Sequence, residues 1–250
     1  LFILDTLGGF DYALTHQAQH NIRVVSNSFG NTGDVGTDFD PDDPTNIATK
    51  MLADRGVVVV FSAGNSGSGE ATITGNFKKA PWVVMVAAGD KDGKLADFSS
   101  RGERGRGGSV TVDGETFTWE DRPTVTAPGV DISAARSSMG AVMASGVDPE
   151  NPLYTYASGT SMSAPHVSGI VALMLEAQPA LSPQNVIAIL EGTAVSMPDF
   201  ELWEVGAGFV DAYAAVRAAE KGKTKFPPST KGKQPVYELL LSGKFEGTAL

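Results

Sequence analysis

The 250-residue chain contains no cysteine. That excludes a disulfide framework, a zinc–thiolate site and a cysteine nucleophile. It leaves the compartment open, because a protein of this size can bury a core without covalent staples. Histidine is scarce as well: His16, His20 and His166 are the three in the chain. No apolar run approaches the 18 residues of a membrane span. The longest, around residues 56–61, has the length of a strand. Basic residues are outnumbered 19 to 29, for a formal net charge of -10. Binding to a phosphate backbone needs a basic face, so nucleic acid is not an expected partner. The first residues carry no basic segment of signal-peptide type. Leu1-Phe2-Ile3-Leu4-Asp5 reads as a buried strand already in progress, which predicts that the chain begins inside a fold. No internal repeat is present.

What is there is an ordinary globular composition, with 42% hydrophobic and 19% charged residues. Strand-like and helix-like segments alternate. A helix is expected over 10–20 and a strand over 23–27. Thr45 is placed to cap a helix running to Arg55, with Gly56 at its end. Val57-Val58-Val59-Val60-Phe61 has no polar alternation, which reads as a strand buried on both faces of a parallel sheet. Residues 83–88 form a second such run. A long helix is expected over 162–178, with Val167, Ile170, Val171 and Met174 on one face and Pro165 in the first turn. Gly169 and Ala172 would let it approach the sheet closely. Pro179 ends it, and Ser182-Pro183 starts another helix that ends at Gly192. A last helix is expected over 211–221. The pattern predicts an α/β, doubly wound, mostly parallel sheet with helices on both faces. Residues 107–119 interrupt it with period-two alternation around Asp113-Gly114, the signal of a β-hairpin, expected as a surface insertion. After Gly222 the chain turns to Lys, Pro, Gly and Ser. Residues 1–221 are therefore expected as one domain and 222–250 as a linker with the start of an extension, in which 237–241 could be a strand.

Gly159-Thr160-Ser161-Met162-Ser163-Ala164-Pro165-His166-Val167 is the segment that carries chemistry. A serine hydroxyl attacks a carbonyl only when a base takes its proton and donors stabilise the oxyanion formed. At the junction of a glycine loop and a helix, Ser161 would be exposed. The free N–H groups and the positive end of the helix dipole would face the reacting oxygen. This segment resembles the nucleophile segment of subtilisin-like serine proteases. Ser62-Ala63-Gly64-Asn65-Ser66-Gly67 is similar to the oxyanion-hole segment of that family. The resemblance implies that the Asn65 amide and the Ser161 N–H hold the oxyanion. Ser26-Asn27-Ser28-Phe29-Gly30 is similar to the family's substrate-pairing strand edge, where an extended peptide adds as a β-strand. Ala63 and Gly64 would wall the pocket for the side chain before the scissile bond, and Gly159 and Thr160 would flank it. Phe98-Ser99-Ser100-Arg101-Gly102, Ala127-Pro128-Gly129 and Gly206-Ala207-Gly208 match family landmarks read as structural. The resemblance covers roughly residues 1–220. It implies a secreted, extracellular endopeptidase acting on polypeptides, with its own propeptide or an upstream segment as a further partner.

One departure is large. The family's Asp-Thr/Ser-Gly turn and His-Gly-Thr-His segment, which carry the other two triad residues, do not occur here. Asp5-Thr6 is followed by Leu7. His166 lies five residues after Ser161, about 500° around a helix, so the two side chains point some 140° apart. His16 and His20 have i, i+4 spacing, which two-ligand metal binding would share with a plain solvated face. An endopeptidase whose aspartate and histidine come from an upstream segment is the leading expectation. A catalytically inactive peptide-binding pseudo-protease is the alternative. An esterase of the α/β-hydrolase type wants Gly-x-Ser-x-Gly, and Ser163 stands where its second glycine would be. The small residues Ala63 and Gly64 predict a roomy pocket of broad or bulky-apolar preference. Asp34, Asp38, Asp40, Asp42 and Asp43 form an acidic loop; calcium as a structural ion is compatible with it, but no metal ligand is assigned.

Overall fold

A computed structural model describes residues 3–137 and 146–226. The expected linker at 227–229 and strand at 237–241 lie outside the described residues. The elements in chain order are helix α1 (Ile3–His20), strand β1 (Val24–Asn27), α2 (Pro44–Asp54), β2 (Val58–Ser62), a 3-10 turn (Asn76–Lys79) and β3 (Val83–Gly89). Then come β4 (Gly107–Val112), β5 (Glu115–Glu120), β6 (Val125–Pro128), β7 (Ile132–Ala135), β8 (Tyr154–Ala157), α3 (Thr160–Ala177), α4 (Pro183–Thr193), α5 (Leu202–Val205) and α6 (Ala212–Glu220).

Strands β1, β2, β3 and β6 form one parallel sheet in that order. Val59 pairs with Val25 on one side and Val83 on the other. Both faces are covered, which explains the unbroken apolar runs. Val58, Val60, Val84 and Val86 pack beneath α3, α4 and α6 with Val167, Ile170, Val171 and Met174. Val57, Val59 and Phe61 face α1 and α2 with Phe10, Ala13 and Leu52. The expected doubly wound architecture is therefore the observed one.

Several local expectations need correction. Residues 3–5 begin α1 rather than a strand, and Ile3 and Leu4 are exposed, at 52% and 76%. A short apolar run cannot distinguish helix from strand by periodicity, and α1 runs straight through Gly8-Gly9, a pair that reads as a break in the sequence. Thr45 does not cap α2. Asp43 does, its carboxylate accepting from Thr45 N at 2.7 Å, and Thr45 is buried. Gly169 and Ala172 lie on the solvent side of α3, because the face set by Val167, Ile170, Val171 and Met174 leaves them opposite the sheet. Ser163 and Ala164, both fully buried, make the close approach instead. The hairpin β4–β5 turns at Asp113-Gly114 as expected. It is more than a surface insertion, however. Trp119 is buried, and Phe117 meets Trp82 edge-on at 5.4 Å. Ser182 caps α4 in a reciprocal capping box with Asn185.

An ion pair locks the hairpin root to the core. Lys79 Nζ lies 3.0 Å from Asp121 Oδ2, with both side chains fully buried, and also donates to the Thr37 carbonyl at 2.5 Å. Removing one partner of a buried pair leaves a charge without solvent or counter-ion. Asp121→Ala is expected to lower unfolding stability by about 3–5 kcal/mol in urea denaturation. A loss below about 1 kcal/mol would show that Lys79 finds other solvation.

Candidate active site

The site lies at the carboxyl ends of the parallel strands, where open α/β sheets present their ligand crevices. Gly159 is the N-cap of α3, Thr160 its first residue and Ser161 its second. The first-turn N–H groups have no intrahelical acceptor. That of Thr160 donates to Asn65 Oδ1 at 2.9 Å, and that of Met162 to the Gly159 carbonyl. The Ser161 N–H is left free among the described residues.

Asn65 is clamped. Its Oδ1 accepts from Thr160 N and from Thr160 Oγ1, both at 2.9 Å, while Thr160 Oγ1 accepts from Gly64 N at 3.1 Å. With its oxygen committed to two donors, the amide must present Nδ2 outward as a donor. Gly64 makes the turn possible. Its φ is +123°, and a methyl group there would come within 2.5 Å of Thr74 Oγ1 and 2.7 Å of Ser100 Oγ. At the cap of α3, the Gly129 carbonyl accepts from Gly159 N at 2.7 Å. A methyl group on Gly129 would stand 2.1 Å from Ser163 Oγ.

Pro165 falls in the second turn of α3 rather than the first, because the helix starts at Thr160. Proline has no N–H, so the carbonyl four residues back, that of Ser161, loses its helical donor. Ser28 Oγ supplies the missing bond at 2.8 Å, and Ser161 Oγ donates to the Ser28 carbonyl at 3.3 Å. This reciprocal pair ties the start of α3 to the end of the edge strand.

Ser28, Gly30, Gly64, Asn65, Thr160 and Ser161 line a common cavity of about 240 Å³. Phe29 borders it too, but its ring packs on Phe61 and Phe77 at 5.7 and 6.3 Å, so it anchors the loop to the core. Ser26 is not brought to the cavity; its hydroxyl accepts from Ser168 Oγ on α3 at 2.9 Å. Ala63 is fully buried and does not line the cavity; its carbonyl accepts from Thr74 N and Lys78 Nζ. Gly159 stands behind the cavity as the helix cap.

Thr74 and Lys78 also line the cavity, and neither is legible in the sequence as a site residue. Lys78 is 1% exposed, and burial pulls its pKa down to about 7. The available signal is two adjacent lysines just before a buried strand, which says neither that both are buried nor which one faces the cavity.

No histidine of this chain hydrogen-bonds Ser161 Oγ, whose partner is the Ser28 carbonyl. His166 is exposed, and its Nδ1 lies 2.7 Å from the Met162 carbonyl. His16 stacks between Tyr12 and His20 on α1, which packs beneath the opposite face of the sheet. The acidic loop does not converge on a cation position. Asp38 pairs with Arg106, Asp43 holds Thr45 and Asn76, and Asp34 accepts from Asn76 N and Nδ2. Burial alone would raise the Asp34 carboxyl; hydrogen bonds from Thr37 and Asn76 outweigh it and hold it below its ordinary range. Among the described residues no group of three or more acidic or histidine side chains could hold a metal.

Fold and site together define a class: a doubly wound parallel sheet carrying a serine at the amino end of its central helix, opposite a clamped side-chain amide. The model of the subtilase family, peptidase family S8, matches residues 5–229, and the chain belongs to that family. It is 32% identical over 203 residues to an extracellular protease of Xanthomonas campestris pv. campestris, covering 80% of this chain and 29% of that protein. It is 29% identical to the serine protease AprX of Bacillus subtilis, covering 86% of this chain and 48% of AprX. The chain thus spans less than half the length of these two relatives. Among solved structures, fervidolysin from Fervidobacterium pennivorans, a keratinolytic enzyme related to subtilisin, superposes with a TM-score of 0.60 at 27% identity. That match covers 84% of this chain and 28% of fervidolysin. Sphericase superposes with a TM-score of 0.63 at 24% identity, covering 82% and 62%, and shows the fold.

Proposed function

We propose that this chain carries the nucleophile and oxyanion hole of a serine endopeptidase, with the triad aspartate and histidine supplied by a segment outside it. The observation that carries the reading is the pairing of a free Ser161 N–H with an Asn65 amide turned outward by Thr160. Two such donors, fixed before substrate arrives, stabilise the charge that develops on a carbonyl oxygen under attack. Ser161 Oγ would add to the carbonyl as a base takes its proton. The leaving amine departs with a proton, and water then hydrolyses the acyl-enzyme. Residues 28–30 would pair with the substrate backbone as an added strand. Substrates are polypeptides, and the extracellular relative favours a secreted enzyme. No described helix is long and apolar enough to cross a membrane. Calcium is assigned to no residue. Residues 1–221 are taken as the peptidase part and 222–250 as linker and extension.

A fluorophosphonate probe applied to the full-length protein tests this reading. Stoichiometric labelling at Ser161 is expected; an unlabelled, folded protein would sink it. The alternative, a peptide-binding module without turnover, is favoured by one observation: the hydrogen-bond partner of Ser161 Oγ is the Ser28 carbonyl, not an imidazole. Asn65→Ala is expected to lower kcat by roughly 10²–10³ with little change in KM, a scale established on subtilisin itself. A rise in KM with kcat unchanged would make Asn65 a substrate-positioning group.

A further inference from the structure

We propose that the cavity beside Ser161 accepts a carboxylate, so that the peptide bond cleaved follows an aspartate or glutamate whose side chain meets the Lys78 ammonium. This rests on the peptidase reading for the cleavage, though not for the binding.

The cavity is a slot between two glycines. A methyl group on Gly30 would come within 2.5 Å of Lys78 Nζ and 2.3 Å of Thr74 Oγ1. On the other wall, a methyl group on Gly64 would come within 2.5 Å of the same Thr74 Oγ1. Ser161, Asn65, Thr74 and Lys78 line the same cavity. The ammonium donates to Thr74 Oγ1 at 2.8 Å and, weakly, to the Ala63 carbonyl at 3.4 Å. An ammonium has three hydrogens to donate, so one is unspent in these contacts.

The decisive contrast is with the next residue. Lys79 has a dedicated buried carboxylate, Asp121, at 3.0 Å. Lys78 is as deeply buried, and no carboxylate among the described residues lies within ion-pair distance of it. Its amine is destabilised by burial, with no compensating charge. The charged groups behind it are spoken for. Lys78 and Lys79 also border a second cavity with Glu120, Arg122 and Glu191, where Arg122 bridges both glutamates. No other titratable side chain among the described residues lines the Ser161 cavity. A buried cation held without its counter-ion, in a slot opening beside a nucleophile, is completed by a ligand that brings the negative charge. This reading differs from the expectation of a broad or bulky-apolar pocket, drawn from Ala63 and Gly64, by this one amine.

The test uses a pair of N-acetylated tetrapeptide amides that differ in the last residue, Glu or Gln. Binding to Ser161→Ala protein is measured by calorimetry at pH 6 and pH 9. The Glu peptide is expected to bind roughly tenfold or more tightly than the Gln peptide at pH 6, the scale of a charge-assisted hydrogen bond. The ratio should approach one by pH 9, as the amine loses its proton. Lys78→Met should erase the preference at both pH values, and Lys78→Arg should retain it. Equal affinities at pH 6, or a Glu preference that survives Lys78→Met, would overturn the proposal. If Lys78→Met does not fold, the pH dependence of the ratio in the parent decides. Hydrolysis by the full-length protein separates the two claims. Cleavage with no Glu-over-Gln preference overturns the pocket and spares the peptidase. No cleavage of any peptide, with the binding ratio intact, overturns the peptidase and supports the pocket.

Discussion

Ser161→Ala in the full-length protein is expected to abolish peptide hydrolysis, by about 10⁴-fold or more, while its melting temperature moves by no more than about 2 °C. The magnitude is that of losing a covalent pathway altogether, on a scale known from subtilisin. The small thermal shift is explained by the contacts. Ser161 Oγ makes one long bond, 3.3 Å, to the Ser28 carbonyl. The contact that replaces the bond lost to Pro165 runs from Ser28 Oγ to the Ser161 backbone carbonyl, which alanine retains. Turnover in this variant within about tenfold of the parent would mean that the oxygen attacking the substrate is not here. A melting loss of about 10 °C would mean that the hydroxyl is structural. Ser28→Ala separates the two roles: it removes the donor to that carbonyl and should loosen the start of α3, raising KM before it lowers stability.

Lys78→Met is expected to stabilise the chain, by on the order of 5 kcal/mol below pH 7. The figure comes from about 1.36 kcal/mol for each unit by which the amine falls from 10.5 to about 7. The sign is set by which state holds the proton. The folded amine has the lower pKa, so between about pH 7 and 10.5 the unfolded chain binds more protons and stability rises with pH. Below pH 7 both states are charged and the full burial cost is present. The stability gap between Lys78→Met and the parent should therefore be widest near pH 6 and close as pH approaches 10. A gap independent of pH would mean that methionine gains by packing alone. A site that holds an unstable charge in its resting state has exchanged stability for recognition, as functional sites commonly do.

The two predictions rest on residues of very different legibility. Ser161 and Asn65 are evident because their neighbours are dictated locally. Glycine at 159 and 64 permits the backbone turn, and the residues just after each turn are delivered to the crevice. The β-runs at 57–61 and 83–88 are equally plain, since strands covered on both faces allow no polar alternation. The cap at Ser182, the start of the last helix at Asp211 and the turn at Asp113-Gly114 depend on a few adjacent residues, and these too are legible. Where expectation and structure part, the competing information is distant. Residues 3–5 have strand composition yet belong to a helix that continues through Gly8-Gly9, where the sequence signals a break. Gly169 and Ala172 suit a close helix–sheet contact in size, yet they face solvent because the heavier residues of α3 claim the sheet. Asp43 displaces Thr45 as a cap because its carboxylate also serves Asn76, 33 residues away.

The sequence by itself determined the class of fold, the order of its strands and helices, and the nucleophile and its amide partner as candidates. These come from periodicity, glycine placement and short-range hydrogen bonding. The tertiary structure decided which of two adjacent lysines received a counter-ion. Asp121 arrives beside Lys79 from the root of the hairpin, far along the chain, and no carboxylate among the described residues arrives beside Lys78. A charge is made stable or unstable by what surrounds it in space, and that surrounding is assembled from segments whose proximity no local pattern records.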